Sequence, residues 1–177
     1  MEQKYKTREE YLMGATALCS DKVFKAALLD VPTNIKVATS FPNKRANKSR
    51  LQTVGQCFPP QLSDGEDFQV MISPVVSDPI KVLDILCHEL IHVIDECLNG
   101  HKGPFPKMMK AIGLIGKPTA TEAGPELLEK LKAISDELGQ YPHDALDTTQ
   151  LKKQGTRMIK CQCPDPDCGM VGRFSRG

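Results

Sequence analysis

The sequence predicts an α+β fold, and three observations carry that expectation. Residues 8–29 hold apolar side chains at helical spacing, among them Tyr11, Leu12, Ala15, Leu18, Val23 and Ala26. Three short segments, 35–42, 53–58 and 68–73, follow and are punctuated by Pro59, Pro60 and the turn SDGED at 63–67. A capped, strongly apolar stretch then begins at Asp78-Pro79.

The elements follow in order. Pro32 ends the first helix. IKVATSFP (35–42) alternates apolar and polar side chains, as a half-buried strand does. NKRANKSR (43–50) is a basic loop. TVGQCF (53–58) and FQVMIS (68–73) are the second and third strands. Strands met consecutively suggest an antiparallel three-stranded meander. Asp78 is placed to cap the next helix, which runs to about Leu98 and is stopped by Asn99-Gly100. HKGPFP (101–106) is a tight connection. A further helix spans about 106–115, GKPTATEAG is a loop, and PELLEKLKAISDEL (125–138) is the last helix, with Pro125 in its first turn. YPHDALD (141–147) is irregular. The expected organisation is one domain over 1–150, then a basic linker and cysteine cluster over 151–177.

With 40% apolar residues, the 177-residue chain can bury a core. Its net charge of +1 gives no global pull toward nucleic acid or membrane. The charge is uneven: residues 151–177 carry six Lys/Arg and two Asp/Glu. No apolar run reaches the ~18 residues of a membrane span. The charged start MEQKYKTREE lacks the apolar core of a secretory signal. Seven cysteines without such a signal read as thiols or metal ligands in a reducing cytoplasm. Cys87 and Cys97 fall within the apolar helical stretch and read as core residues.

Chemistry concentrates in IKVLDILCHELIHVIDECLNGH (80–101). A polar line runs along this apolar helix at Lys81, Asp84, His88, His92, Asp95 and Asn99, in steps of three or four. Lone buried polar groups are costly, so such a stripe implies an internal polar site. Four helical residues advance about 6 Å and overshoot one turn by about 40°. The imidazoles of His88 and His92 therefore point the same way and can share one metal ion. Glu89 can flank that ion without binding it and take a proton from an attacking water. A catalytic zinc needs a third protein ligand and an open position. Asp95 and Leu98 stand where a metzincin has its glycine and third histidine. His101, past the Asn99-Gly100 turn, is the expected third ligand, with Glu122 as runner-up. Asp84 or Asp95 could accept the second ring N–H of a ligand histidine. Cys161, Cys163 and Cys168 lie within eight residues, a density that suggests a structural zinc site with at most three sulfurs. The expectation is a half site carried by Cys163 and Cys168 on an otherwise unordered tail, holding no second zinc beside the catalytic one, with His143 or a second chain as the alternatives for completing it.

Nearly the whole chain, from about 8 to 172, resembles the SprT-like family, in its bacterial and phage branch. The carriers are HELIH at 88–92, GHKGPF at 100–105, AIGLIGKPTAT at 111–121 and LGQYPHDALD at 138–147, with VGQCFPP and FQVMISP upstream. The resemblance implies zinc on His88, His92 and His101, with Glu89 catalytic. It also implies a compact zincin-like α+β domain followed by a zinc ribbon. Family members are labelled transcription-elongation proteins, and eukaryotic Spartan-type relatives cleave proteins crosslinked to DNA, so a DNA-associated protein substrate is implied. Two features depart from the pattern. Phe58 stands where relatives often have tryptophan. Cys163-Pro-Asp-Pro-Asp-Cys168 is a wider pair than usual, and no second pair follows.

Two functions from different classes compete. One is zinc-dependent peptide hydrolysis by a cytoplasmic monomer. The other is a nucleic-acid-associated binding module with a structural or vestigial zinc site. The second draws on the basic tail and on Lys44, Arg45, Lys48 and Arg50, although with net charge near zero both runs read more readily as a solvated surface. Glu89 favours the first, because a structural zinc site needs no glutamate beside its ligands.

Overall fold

The computed structural model describes residues 3–42, 53–63, 65–148 and 158–175. They divide into two units, 1–146 and 147–177.

The first unit is a mixed α+β structure. Helix α1 (Arg8–Cys19) starts in a capping box: Thr7 Oγ1 accepts the Glu10 N–H, and the Glu10 carboxylate accepts the Thr7 N–H. The expected continuation to residue 29 is helical but irregular. A π turn (Ser20–Phe24) and a 3-10 turn (Lys25–Ala27) follow, and Leu28 ends them in the left-handed region. Strands β1 (Ile35–Thr39), β2 (Gly55–Phe58) and β3 (Phe68–Ile72) form one sheet in the order β1-β3-β2.

That order corrects the expected meander. β1 pairs with β3 in parallel, Val37 opposite Val70, and only β2 is antiparallel to β3, Cys57 opposite Val70. Alternation identifies strands but not their neighbours. The stretch joining β1 to β2 is also far longer than the two to five residues of a hairpin loop, so nothing forces the two to pair. β3 takes the centre, with Phe68, Val70 and Ile72 all buried. β2 is left at the edge.

Helix α2 (Pro79–Ile94) packs on β2 and β3 on one side and on other helices elsewhere. Asp78 caps it, its Oδ1 accepting the Lys81 N–H at 2.7 Å. Leu83, Leu86, Leu90 and Ile91 are fully buried. The helix stops at Ile94, four residues before the expected end. Cys97 N–H bonds back to the His92 carbonyl at 2.8 Å and Glu96 N–H to Val93 at 3.0 Å, a Schellman closure. Glycine usually fills its left-handed position, which is why Asn99-Gly100 looked like the stop. Here Glu96 and Cys97 both adopt positive φ, 51° and 58°, at a cost of about 1–2 kcal/mol each. Asp95 offsets part of this by accepting the Asn99 backbone and side-chain N–H groups, both at 2.8 Å.

Helix α3 (Phe105–Ala111) is shorter than expected, and the segment expected as its end plus a loop folds instead as a hairpin of β4 (Leu114–Lys117) and β5 (Ala120–Ala123). Gly116 makes it feasible: its φ is +91°, and a Cβ there would sit 2.9 Å from the Ala120 carbonyl oxygen. Helix α4 (Pro125–Leu138) buries Leu127, Leu131 and Ile134 against the same core.

In the second unit β6 (Met158–Gln162) and β7 (Val171–Ser175) form an antiparallel hairpin, where the sequence suggested an unordered tail. Cys161 lies in β6, and Cys163 and Cys168 lie in the connection. Among the described residues no helix is long and apolar enough to cross a membrane.

Candidate metal centre

The buried α2 helix presents His88 and His92 one turn apart on one face, as their i,i+4 spacing requires. The Schellman closure and the Asp95–Asn99 bonds reverse the chain, and His101 returns to meet them. His101 Nε2 lies 3.0 Å from His88 Nε2 and 3.3 Å from His92 Nε2. Ring nitrogens bound to one tetrahedral zinc at about 2.0–2.1 Å would be about 3.3 Å apart, so the spacing fits a shared ion. Hydrogen bonding alone fits poorly, since the one Nε2 of His101 faces two others and carries either one proton or one lone pair. Among the described residues these three form the only group of three metal-binding side chains whose ligand atoms lie within 4.8 Å of one another.

Phe105 closes the site from below. It is fully buried at the start of α3, and its ring centroid is 5.0, 4.7 and 5.0 Å from those of His88, His92 and His101. The β4–β5 hairpin supplies Thr121, whose Oγ1 is 2.8 Å from His88 Nδ1. With Nε2 on a metal, Nδ1 carries the proton and donates to Thr121, fixing the ring's tautomer and orientation.

Neither carboxylate weighed for that task performs it for His88. Asp84 is engaged by Lys81 Nζ at 2.6 Å, and Asp95 shapes the turn. Glu122, the runner-up ligand, is exposed on β5 and outside the trio.

Burial, then the neighbouring imidazoles, hold His88 down at about 3 and His92 at about 4; burial also lowers His101. Without metal all three are therefore neutral near pH 7, the form that ligates. Glu89 is 5% exposed, and burial, with a smaller push from Cys97, raises its carboxyl to about 8. Its place is made by Gly55 on β2. A Cβ at 55 would overlap Glu89 Oε1 and lie 2.7 Å from Ile85 Cγ2.

Trio and glutamate open on a cleft of about 820 Å³ between β2 and the β4–β5 hairpin, floored by α2. Cys97 is not a core residue as expected. It is half-buried on the cleft wall, its sulfur 3.3 Å from that of Cys57 on β2. Hydrogen bonding to Cys97 and burial push the Cys57 thiol up, and the same bond pulls Cys97 down.

The sequence reading missed Gly55, Phe105 and Thr121 as site residues. A glycine inside a strand is a signal of close approach, and Phe105 sits in the same short segment as His101. Thr121 carries no signal, because only the hairpin's fold brings it to His88.

Lys44, Arg45, Lys48 and Arg50 fall outside the described residues. Cys161, Cys163 and Cys168 do not gather into a three-ligand group. His143 is held within its own unit, where Nε2 donates to the Pro74 carbonyl at 2.8 Å and Arg8 donates to Nδ1 at 3.3 Å.

Comparison with family models, curated proteins and solved structures finds no match to this chain.

The raised Glu89 pKa predicts a stability signature in metal-free protein. Its folded value, about 8, lies above the ordinary carboxyl value of 4.5. The folded chain therefore keeps a proton that the unfolded chain releases, and stability falls as pH rises through that window. Glu89→Gln cannot titrate and escapes the loss. In a chelator, its unfolding free energy should exceed that of wild type by a margin that grows from pH 5 to 8, approaching roughly 3–5 kcal/mol. A pH-independent margin contradicts the buried, protonated carboxyl.

Proposed function

We propose that the chain is a zinc-dependent endopeptidase of the SprT-like kind. The observation that carries this reading is the buried Glu89 carboxyl in the same open cleft as three converging imidazole nitrogens. His88, His92 and His101 would hold the ion, a three-histidine set that leaves a position for substrate or water. Zinc there supplies Lewis acidity, which polarises a carbonyl and acidifies water.

The chain's own groups supply the rest. Glu89 takes the proton of the attacking water and later gives it to the leaving amine nitrogen. Gly55 keeps that carboxyl in place, and Thr121 and Phe105 hold the imidazoles. β2 is an edge strand along the cleft, so an extended peptide can pair with its outer side and present a backbone carbonyl to the site. A purely structural zinc needs neither the cleft nor the glutamate, and this favours the enzyme over the binding module.

The test is incubation of zinc-loaded protein with casein, with self-cleavage scored alongside. New peptide termini that disappear on chelation are expected. Absence of any cleavage by protein holding one zinc would sink the reading. Gly55→Ala should keep the zinc yet lower turnover at least about tenfold, since a displacement near 1 Å at a reacting group can cost more. Unchanged turnover would show that Glu89 does not depend on the space at 55.

Association of the substrate with DNA rests on the family resemblance. If Lys44, Arg45, Lys48 and Arg50 contact phosphates, single-stranded DNA binding should weaken steeply with salt, and charge reversal at these four should flatten the slope. A flat response in wild type identifies a solvated surface.

A further inference from the structure

We propose that Cys57 and Cys97 form a reversible redox site on the wall of the metal cleft, closing to a disulfide on reaction with a low-molecular-weight disulfide. The two residues are 40 apart in sequence, yet their sulfurs are 3.3 Å apart. Each is half-buried and lines the cleft, so a small reagent can reach them. Cys19 and Cys87, by contrast, are fully buried in the core.

The backbone is arranged for this meeting. Cys97 sits at φ 58° in the strained turn that closes α2, and from there its sulfur meets that of Cys57 on β2. Strain of this kind persists where the surrounding structure over-determines it. Cys57 shares a strand face with Gly55, two residues before it. Gly55 backs onto Glu89, and Cys57 backs onto Cys97. A bond between the sulfurs would therefore tie β2, whose Gly55 meets Glu89, to the turn that closes the helix carrying Glu89.

The chemistry is thiol–disulfide exchange. The Cys97 sulfur, as thiolate, attacks one sulfur of the reagent, forming a mixed disulfide and expelling one thiolate. The Cys57 sulfur then attacks the Cys97 sulfur, the mixed bond breaks, and a second thiolate leaves. The two cysteine protons end on the two released thiols. Two protein thiols are oxidised to one disulfide, and one reagent disulfide is reduced to two thiols. The sulfurs must close from 3.3 Å to about 2.05 Å, a shift that side-chain rotation on the two walls can share. This site does not depend on peptide cleavage.

The test uses zinc-loaded full-length chain carrying Cys161→Ser, Cys163→Ser and Cys168→Ser, which removes the tail thiols. It is treated with oxidised glutathione, free thiols are alkylated, and the products are mapped by mass. The expected product is two hydrogens lighter, links the Cys57 and Cys97 peptides, keeps its zinc and reverts with a dithiol reductant. Adding Cys57→Ser should instead trap one glutathione on Cys97. Three results would overturn the proposal. The first is both thiols remaining unmodified in the folded chain. The second is a stable glutathione adduct on Cys97 while Cys57 is intact. The third is zinc release on oxidation, which would make the sulfurs metal ligands.

Discussion

Glu89→Gln is expected to keep the fold and the zinc and to lose peptide cleavage. Glutamine matches the glutamate in size, so it fits the space that Gly55 leaves. It cannot accept a proton from the attacking water. A positioned general base is worth about 10²–10⁴ in rate, so kcat should fall by that factor, while any change in KM is small. Because burial raises the carboxyl to about 8, the uncharged amide should also stabilise metal-free protein at neutral pH. Activity and stability then move in opposite directions, which mere unfolding of the variant cannot mimic. Near-normal turnover in a zinc-loaded variant would remove Glu89 from the reaction.

His88→Ala should behave differently, losing metal and cleavage together. Groups that only orient a ligand histidine are worth about 10–100-fold in metal affinity, so loss of a ligand should cost more than about 10²-fold. Thr121→Val removes the partner of His88 Nδ1 and should fall within the smaller range. Isothermal competition with a chelator of known affinity measures both. Equal losses for His88→Ala and Thr121→Val would mean that His88 is not a ligand. Unchanged affinity in Thr121→Val would mean that the hydroxyl does not orient the ring.

What the sequence displayed was local. The Asp78-Pro79 start of α2, the i,i+4 imidazoles and the glutamate between them follow from helical geometry, and the structure places all of them as spacing requires. His101 was legible as a nearby histidine beyond a chain reversal, although the reversal itself was misplaced. Propensity assigns the left-handed stop to glycine, whereas here Glu96 takes it and Asp95 stabilises the turn. What escaped was non-local. The parallel β1–β3 pairing, the approach of Gly55 to Glu89 and the arrival of Thr121 on a hairpin 33 residues from His88 depend on how elements dock. Cys97 was misread for the same reason. Its apolar neighbours in sequence suggested the core, but the helix ends before it, and its neighbour in space is Cys57.

X-ray absorption at the zinc edge of the purified chain separates a three-imidazole site from a thiolate one, because bond length reports ligand type. A three-histidine zinc gives a nitrogen and oxygen shell at about 2.0–2.1 Å with the outer-shell scattering of imidazole rings, reduced to background zinc in His101→Ala. A sulfur shell at about 2.3 Å would contradict this and place the metal on cysteines, and a spectrum and zinc content unchanged in His101→Ala would contradict it by removing His101 from the ligand set.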